Sequence, residues 1–131
     1  MRTIDMDTSS YLPTPPTENI LLLATCRGVE ILEINSILRV EAISNYSKLF
    51  FADGKTLVVA KLLSWFEKRL AGVHFVRLHR GHLVNMRYIK VCNTICSDEV
   101  VLVNDEKLAV SRRKRLHFKK AICRYYGYHI Q

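Results

Sequence analysis

The sequence predicts a mainly β domain of short antiparallel strands, with one central helix and a short basic helix at its end. Three observations predict this. Apolar residues recur in short runs separated by turn residues, which is the signature of strands and hairpins. One segment, residues 61–71, changes to a helical period. The last 21 residues carry a net charge of +7, within +8 for the whole chain, and their apolar residues again have helical spacing. The chain has 131 residues and is 49% hydrophobic, enough for one domain with its own core.

All three prolines (Pro13, Pro15 and Pro16) lie in residues 1–19, among Thr and Ser. This stretch reads as a flexible leader, with the domain taken as residues 20–131. Ile20–Ala24, Val29–Ile34 and Ile37–Ile43 are strand candidates, broken at Arg27-Gly28 and Asn35-Ser36. Tyr46–Ala52 and Lys55–Val59 flank Asp53-Gly54, a strong hairpin signal because both residue types tolerate positive φ. From Lys61 to Ala71, Leu62, Leu63, Phe66 and Leu70 share one helical face, Trp65 borders it, and Gly72 is the expected stop.

Strand-like runs return at Phe75–Leu78, Tyr88–Val91, Val100–Val103 and Lys107–Val110, with a turn at Asn104-Asp105. Ser111 is the expected N-cap of the closing helix.

Composition excludes several classes. The longest apolar runs, Ile20–Ala24 and Leu57–Ala60, fall far short of the roughly 20 residues that span a bilayer. The N-terminus carries Asp5, Asp7 and Glu18 and has no apolar signal core, so a cytoplasmic protein is expected. The four cysteines (Cys26, Cys92, Cys96 and Cys123) are then expected to be reduced thiols. On a strand, Cys92 and Cys96 would stand about 13 Å apart, too far for an unstrained disulfide, though Asn93-Thr94 offers a turn between them.

His79, His82, Cys92 and Cys96 are zinc-type ligands, but their spacing is not a zinc-finger spacing and strands would separate the pairs. No metal or other cofactor is expected. Neither a Gly-rich phosphate loop nor a Gly-x-Ser-x-Gly nucleophile motif is present, so an enzyme is not expected. A basic end beside a nearly neutral body points to a polyanion.

The richest segment is Phe75–Asn85, Phe-Val-Arg-Leu-His-Arg-Gly-His-Leu-Val-Asn. Two apolar half-strands flank Arg77, His79, Arg80 and His82, so polar side chains are lifted off a β framework. His79 suits either contact with a ligand or a hydrogen-bonded framework role.

These residues, taken with Ile37–Ala42, Asn45-Tyr46, Asp53-Gly54, Leu62, Leu70 and Leu108–Arg113, resemble the LytTR-type DNA-binding domain. The resemblance covers about residues 20–125. It implies an elongated β fold that reads duplex DNA through loops entering the major groove, with a repeated site in many members; a domain this small gains affinity and specificity by pairing, so a homodimer on DNA is expected. It implies a bacterial transcription regulator, here expected to stand alone without a receiver domain.

Three DNA-facing elements follow from the resemblance: Asn45, Ser47 and Lys48 in one hairpin; His79, Arg80 and His82 in the next; and Arg112, Arg113, Lys114 and Arg115 in the basic end. The residue types suit those roles. The fork of Arg fits guanine O6 and N7, Asn can pair with adenine, and Lys reaches guanine or phosphate. Lys119 and Lys120 are further phosphate candidates, and His82 could meet phosphate as an imidazolium. Tyr46 is expected in the core. Two positions depart from the family pattern: Gly81 replaces a small hydroxyl residue and His82 an aromatic.

An RNA-binding or protein-interaction β module is the alternative. RNA binding would call for exposed aromatics on a sheet face. The aromatics here fall mostly at apolar-face positions, apart from Tyr125, Tyr126 and Tyr128.

Overall fold

The computed structural model describes residues 19–70, 74–93 and 98–127. Residues 1–18 of the expected leader, the expected stop at Gly72, and Thr94, Cys96 and Tyr128 lie outside them. Ten strands, two α-helices and three short 3-10 turns run through the described residues. The mainly β expectation holds: the sheets are antiparallel throughout, and the two helices fall where the period changes.

The chain divides into two compact units at Ile34. The first holds a hairpin of β1 (Ile20–Thr25) and β2 (Gly28–Glu33), in register from Ile20 opposite Glu33 to Thr25 opposite Gly28. Gly28 closes it at φ 115°, a conformation that needs glycine. Strand alternation sets its faces: Leu21 and Leu23 are buried, and Leu22, Val29 and Ile31 are exposed.

The second unit is built on a five-stranded sheet with the order β5-β4-β3-β7-β6. Its strands are β3 (Ile37–Ile43), β4 (Tyr46–Phe51), β5 (Thr56–Val59), β6 (Phe75–His79) and β7 (His82–Asn85). Asp53-Gly54 makes the β4–β5 turn, but only Gly54 takes positive φ, at 93°. Asp53 instead accepts the Lys55 amide at 2.9 Å. The short side chain therefore supplies a hydrogen bond and the glycine supplies the conformation.

Helix α1 (Leu63–Leu70) packs against β3, β6 and β7 and buries Leu63, Phe66 and Leu70. Their spacing of three and four residues is the apolar stripe of an amphipathic helix. Full burial of a side chain such as Phe66 contributes about 1.5–3 kcal/mol.

A separate three-stranded sheet holds β8 (Ile89–Asn93), β9 (Glu99–Leu102) and β10 (Lys107–Ala109), with β9 in the middle. Helix α2 (Arg115–Tyr126) follows. Val76, Leu78 and Val84 of the five-stranded sheet share one core with Val100, Leu102, Leu108, Val110 and Phe118. That core fixes where the basic end of the chain leaves the sheet.

Candidate nucleic-acid interface

Backbone pairing brings the three sequence-predicted elements to one end of the five-stranded sheet. The β3–β4 turn is Ser44-Asn45, between Ile43 and the paired Tyr46. β3 then pairs with β7, with Glu41 opposite His82, and the Ala42 amide donates to the Gly81 carbonyl at 2.9 Å. The β6–β7 turn, Arg80-Gly81, is thereby held beside the β3–β4 turn. On the far side of β6, the Ser111 amide donates to the Leu78 carbonyl at 2.9 Å. Segments far apart in sequence thus form one row, with adjacent strands about 4.8 Å apart.

Local chemistry shapes each member of the row. At the first turn Ser44 takes the left-handed conformation (φ 56°), so Asn45 is not the residue that bends the chain, and Asn45 is exposed. Lys48 points away from the α1 side, with its ammonium 5.1 Å from the Phe50 ring centroid. Two expectations are corrected here. Ser47 is fully buried and its hydroxyl donates to the Lys61 carbonyl at 2.6 Å, because alternation puts it on the same face as Leu49. Tyr46, expected in the core, is 50% exposed because it lies on the opposite face at the strand's end.

The second turn is organised by Arg77. Its Nε donates to the His79 carbonyl at 2.9 Å, and a terminal nitrogen donates to the Arg80 carbonyl at 2.8 Å. Its other terminal nitrogen meets Glu67 of α1 at 2.5 Å. A rigid planar fork suits this three-way task, and an ammonium could not span it. Arg80 itself is exposed, and its side chain makes no hydrogen bond or ion pair among the described residues.

His79 and His82 belong to the frame beneath that turn. His79 Nδ1 accepts the Gly81 amide at 3.0 Å, which leaves Nε2 to carry the proton of the neutral ring. The two rings meet edge to face at 4.6 Å. Burial pushes both imidazoles below their ordinary pKa. Arg77 and Arg80 add to this at His79, and His79 and Arg39 add to it at His82, where Glu41 and Glu106 oppose it. The expected imidazolium at His82 is therefore disfavoured by its surroundings. Its Nδ1 is buried without a hydrogen-bond partner among the described residues.

Behind His82, Arg39 is 6% exposed and joins three elements. It forks onto Glu106 at 2.9 and 3.2 Å, meets Glu41 at 3.0 Å, and lies 3.7 Å from the Phe50 ring centroid. The hydrogen bond from Arg39 holds the Glu106 carboxyl below the usual carboxylate range. This is a structural ion-pair network, and sequence spacing gave no sign of it.

At the third element Ser111 accepts the Lys114 amide on its hydroxyl at 3.2 Å, capping the turn Arg112–Lys114 that leads into α2. The expected cap is present. Arg112 and Arg113 are exposed, and their side chains make no hydrogen bond or ion pair among the described residues. Arg115 differs, because its guanidinium is paired with Asp98 and its charge is offset within the protein.

Exposed cationic and amide side chains thus gather on turns at one end of a β sheet. The family model of the LytTr DNA-binding domain matches residues 27–123, and the chain belongs to that family. It therefore carries a DNA-binding domain of the kind used in transcription regulation. A solved LytTr DNA-binding domain from a Bacillus cereus response regulator has the same fold. It is 23% identical, with TM-score 0.67, over 79% of this chain and 96% of that one. No curated protein matches the chain. No described helix is long and apolar enough to cross a membrane.

Proposed function

We propose that this domain binds duplex DNA with sequence preference, as a transcription regulator, by presenting one end of its five-stranded sheet to the major groove. Asn45 and Arg80 are the base-reading side chains, with Arg113 beside them. Lys48, Arg112, Lys114, Lys119 and Lys120 are assigned to phosphates. Ser47 drops out as a buried framework hydroxyl, His79 and His82 act as the frame of the Arg80 turn, and Arg115 is held by Asp98.

One observation carries the reading. The Ala42–Gly81 and Ser111–Leu78 hydrogen bonds align three distant turns, and Arg80, Arg112 and Arg113 emerge from that row without an acidic partner among the described residues. Free guanidinium forks on short turns suit guanine edges and phosphates better than they suit a flat protein surface. A repeated site occupied by two copies is part of the proposal, because one small row gives limited discrimination.

Selection from a random duplex pool tests it, with the wild type and Arg80→Ala run in parallel. The wild type should enrich a defined site. Arg80→Ala should lose preference at one base pair, with a discrimination loss of about 1–3 kcal/mol there. Failure of the wild type to enrich any sequence would defeat the proposal. Equal weakening of Arg80→Ala on every duplex would reassign Arg80 to phosphate.

A further inference from the structure

Helix α1 turns a cationic, aromatic face to solvent beside the same end of the sheet. Lys61, just before the helix, is tied there because its carbonyl accepts the Ser47 hydroxyl at 2.6 Å. Ser47 is the second residue of β4, two after Asn45 of the β3–β4 turn, and lies opposite Val59, the last residue of β5. Lys61 is therefore fixed near Asn45, on the β5 side of the row.

Trp65 lies between two cations. The Lys61 ammonium is 5.0 Å from the indole ring centroid and the Arg69 guanidinium 4.8 Å. Lys68 is exposed on the same helix, and Leu62 is 54% exposed. The one acid of α1, Glu67, is engaged by Arg77. Stacking on an indole orients cations without neutralising them, so three positive charges stay available to an anion.

We propose that Lys61, Lys68 and Arg69, arrayed around Trp65, form a flank of the DNA interface that takes backbone phosphates outside the base pairs read by Asn45 and Arg80. The inference rests on the DNA reading above and extends it to a fourth element. Continuity supports a nucleic-acid occupant, because β5 is the next strand after β4 in the same sheet. From β5 across to Ser111 is five strand spacings, about 24 Å, or about seven base pairs at 3.4 Å each. Arg112 and Arg113 stand at one end of that span and Lys61 at the other. Cations at both ends fit a duplex lying across the row.

The test is the salt dependence of binding to a random-sequence duplex pool. The proteins are the wild type, Lys61→Gln, Lys61→Arg and the triple Lys61→Gln/Lys68→Gln/Arg69→Gln, each checked for a wild-type far-UV spectrum and melting temperature. Each phosphate contact contributes about 0.9 to the log–log slope. The triple variant should be shallower than wild type by roughly 2–3, Lys61→Gln by about 1, and Lys61→Arg unchanged. A folded triple variant with the wild-type slope overturns the inference and leaves this face to an acidic protein surface. A flat slope for the wild type overturns the DNA reading itself, and this inference with it.

Discussion

Arg77 donates to the backbone carbonyl of Arg80 at 2.8 Å, so the residue proposed to read DNA is aimed by a second arginine that faces the protein. Arg77 also holds the His79 carbonyl and Glu67, and this ties the turn to helix α1. The turn depends on the fork. Arg77→Lys keeps the charge but cannot satisfy two carbonyls and a carboxylate together. We expect Arg77→Lys to lower stability by about 1–3 kcal/mol and to weaken duplex binding. Arg80→Ala, an exposed change, should stay within about 0.5 kcal/mol of wild-type stability. Thermal unfolding and duplex titration of both variants separate aiming from contact. An Arg77→Lys protein that matched wild type in both would remove Arg77 from this role.

Gly81 and His79 fit one another. A Cβ at position 81 would stand 3.1 Å from His79 Cε1 and 3.4 Å from its Nδ1. The same ring accepts the Gly81 amide, so a side chain there presses on the ring that fixes the turn. Gly81→Ser, which restores the hydroxyl typical of the resemblance, should therefore destabilise the domain by about 1 kcal/mol, the scale of one hydrogen bond. His79→Ala should relieve the effect in a double variant. The measurement is a double-mutant cycle by denaturant unfolding, and additive effects would show that the two positions are not coupled.

The paired imidazoles predict a pH response of stability. Both have lower pKa values in the folded state than in the unfolded chain, chiefly through burial. Above the ordinary histidine pKa of about 6.5 both states are neutral there, and the stabilisation is complete. As pH falls through that value, the unfolded chain binds protons that the folded domain still refuses. Stability then declines until the folded-state values are reached. Urea unfolding between neutral and mildly acidic pH should show the decline, and His79→Gln/His82→Gln should flatten it. An unchanged profile in the double variant would assign the decline to other groups.

Local rules made much of the fold legible. Asp53-Gly54 marked its hairpin, because the turn's demands fall on adjacent residues. The helical period located α1, although Leu62, expected on its apolar face, precedes the helix and is 54% exposed, and Ser111 announced the cap that begins the basic end. The candidate site was legible as residue types on turns. Its supports were not, because they join residues distant in sequence. Arg77 meets Glu67 across the α1–β6 connection, and Arg39 meets Glu106 from 67 residues away.

Ser47 and Tyr46 differ from expectation for a simpler reason. Strand alternation overrides residue type there: Ser47 and Leu49 are two apart and share the buried face, and Tyr46 falls on the other. The place of Lys61 near Asn45 is not legible in the helical period, because it depends on the Ser47 hydroxyl.

Ser111 links the basic end to the row through two separate bonds. Its amide donates to the Leu78 carbonyl and its hydroxyl accepts the Lys114 amide. A substitution at 111 removes only the second bond, since the backbone amide remains. Ser111→Ala should thus cost about 1 kcal/mol, the usual loss for an N-cap. It should also loosen the Arg112–Lys114 turn while leaving β6 in place. If those arginines contact DNA, binding should weaken on all duplexes and the salt slope should become shallower, because fewer phosphates are held at once. Ser111→Asp supplies the cap again but brings a negative charge beside the DNA, so it should recover stability without recovering affinity. Unfolding and salt-dependent titration of the pair provide the check. Recovery of both quantities in Ser111→Asp would show that the turn does not lie against phosphate.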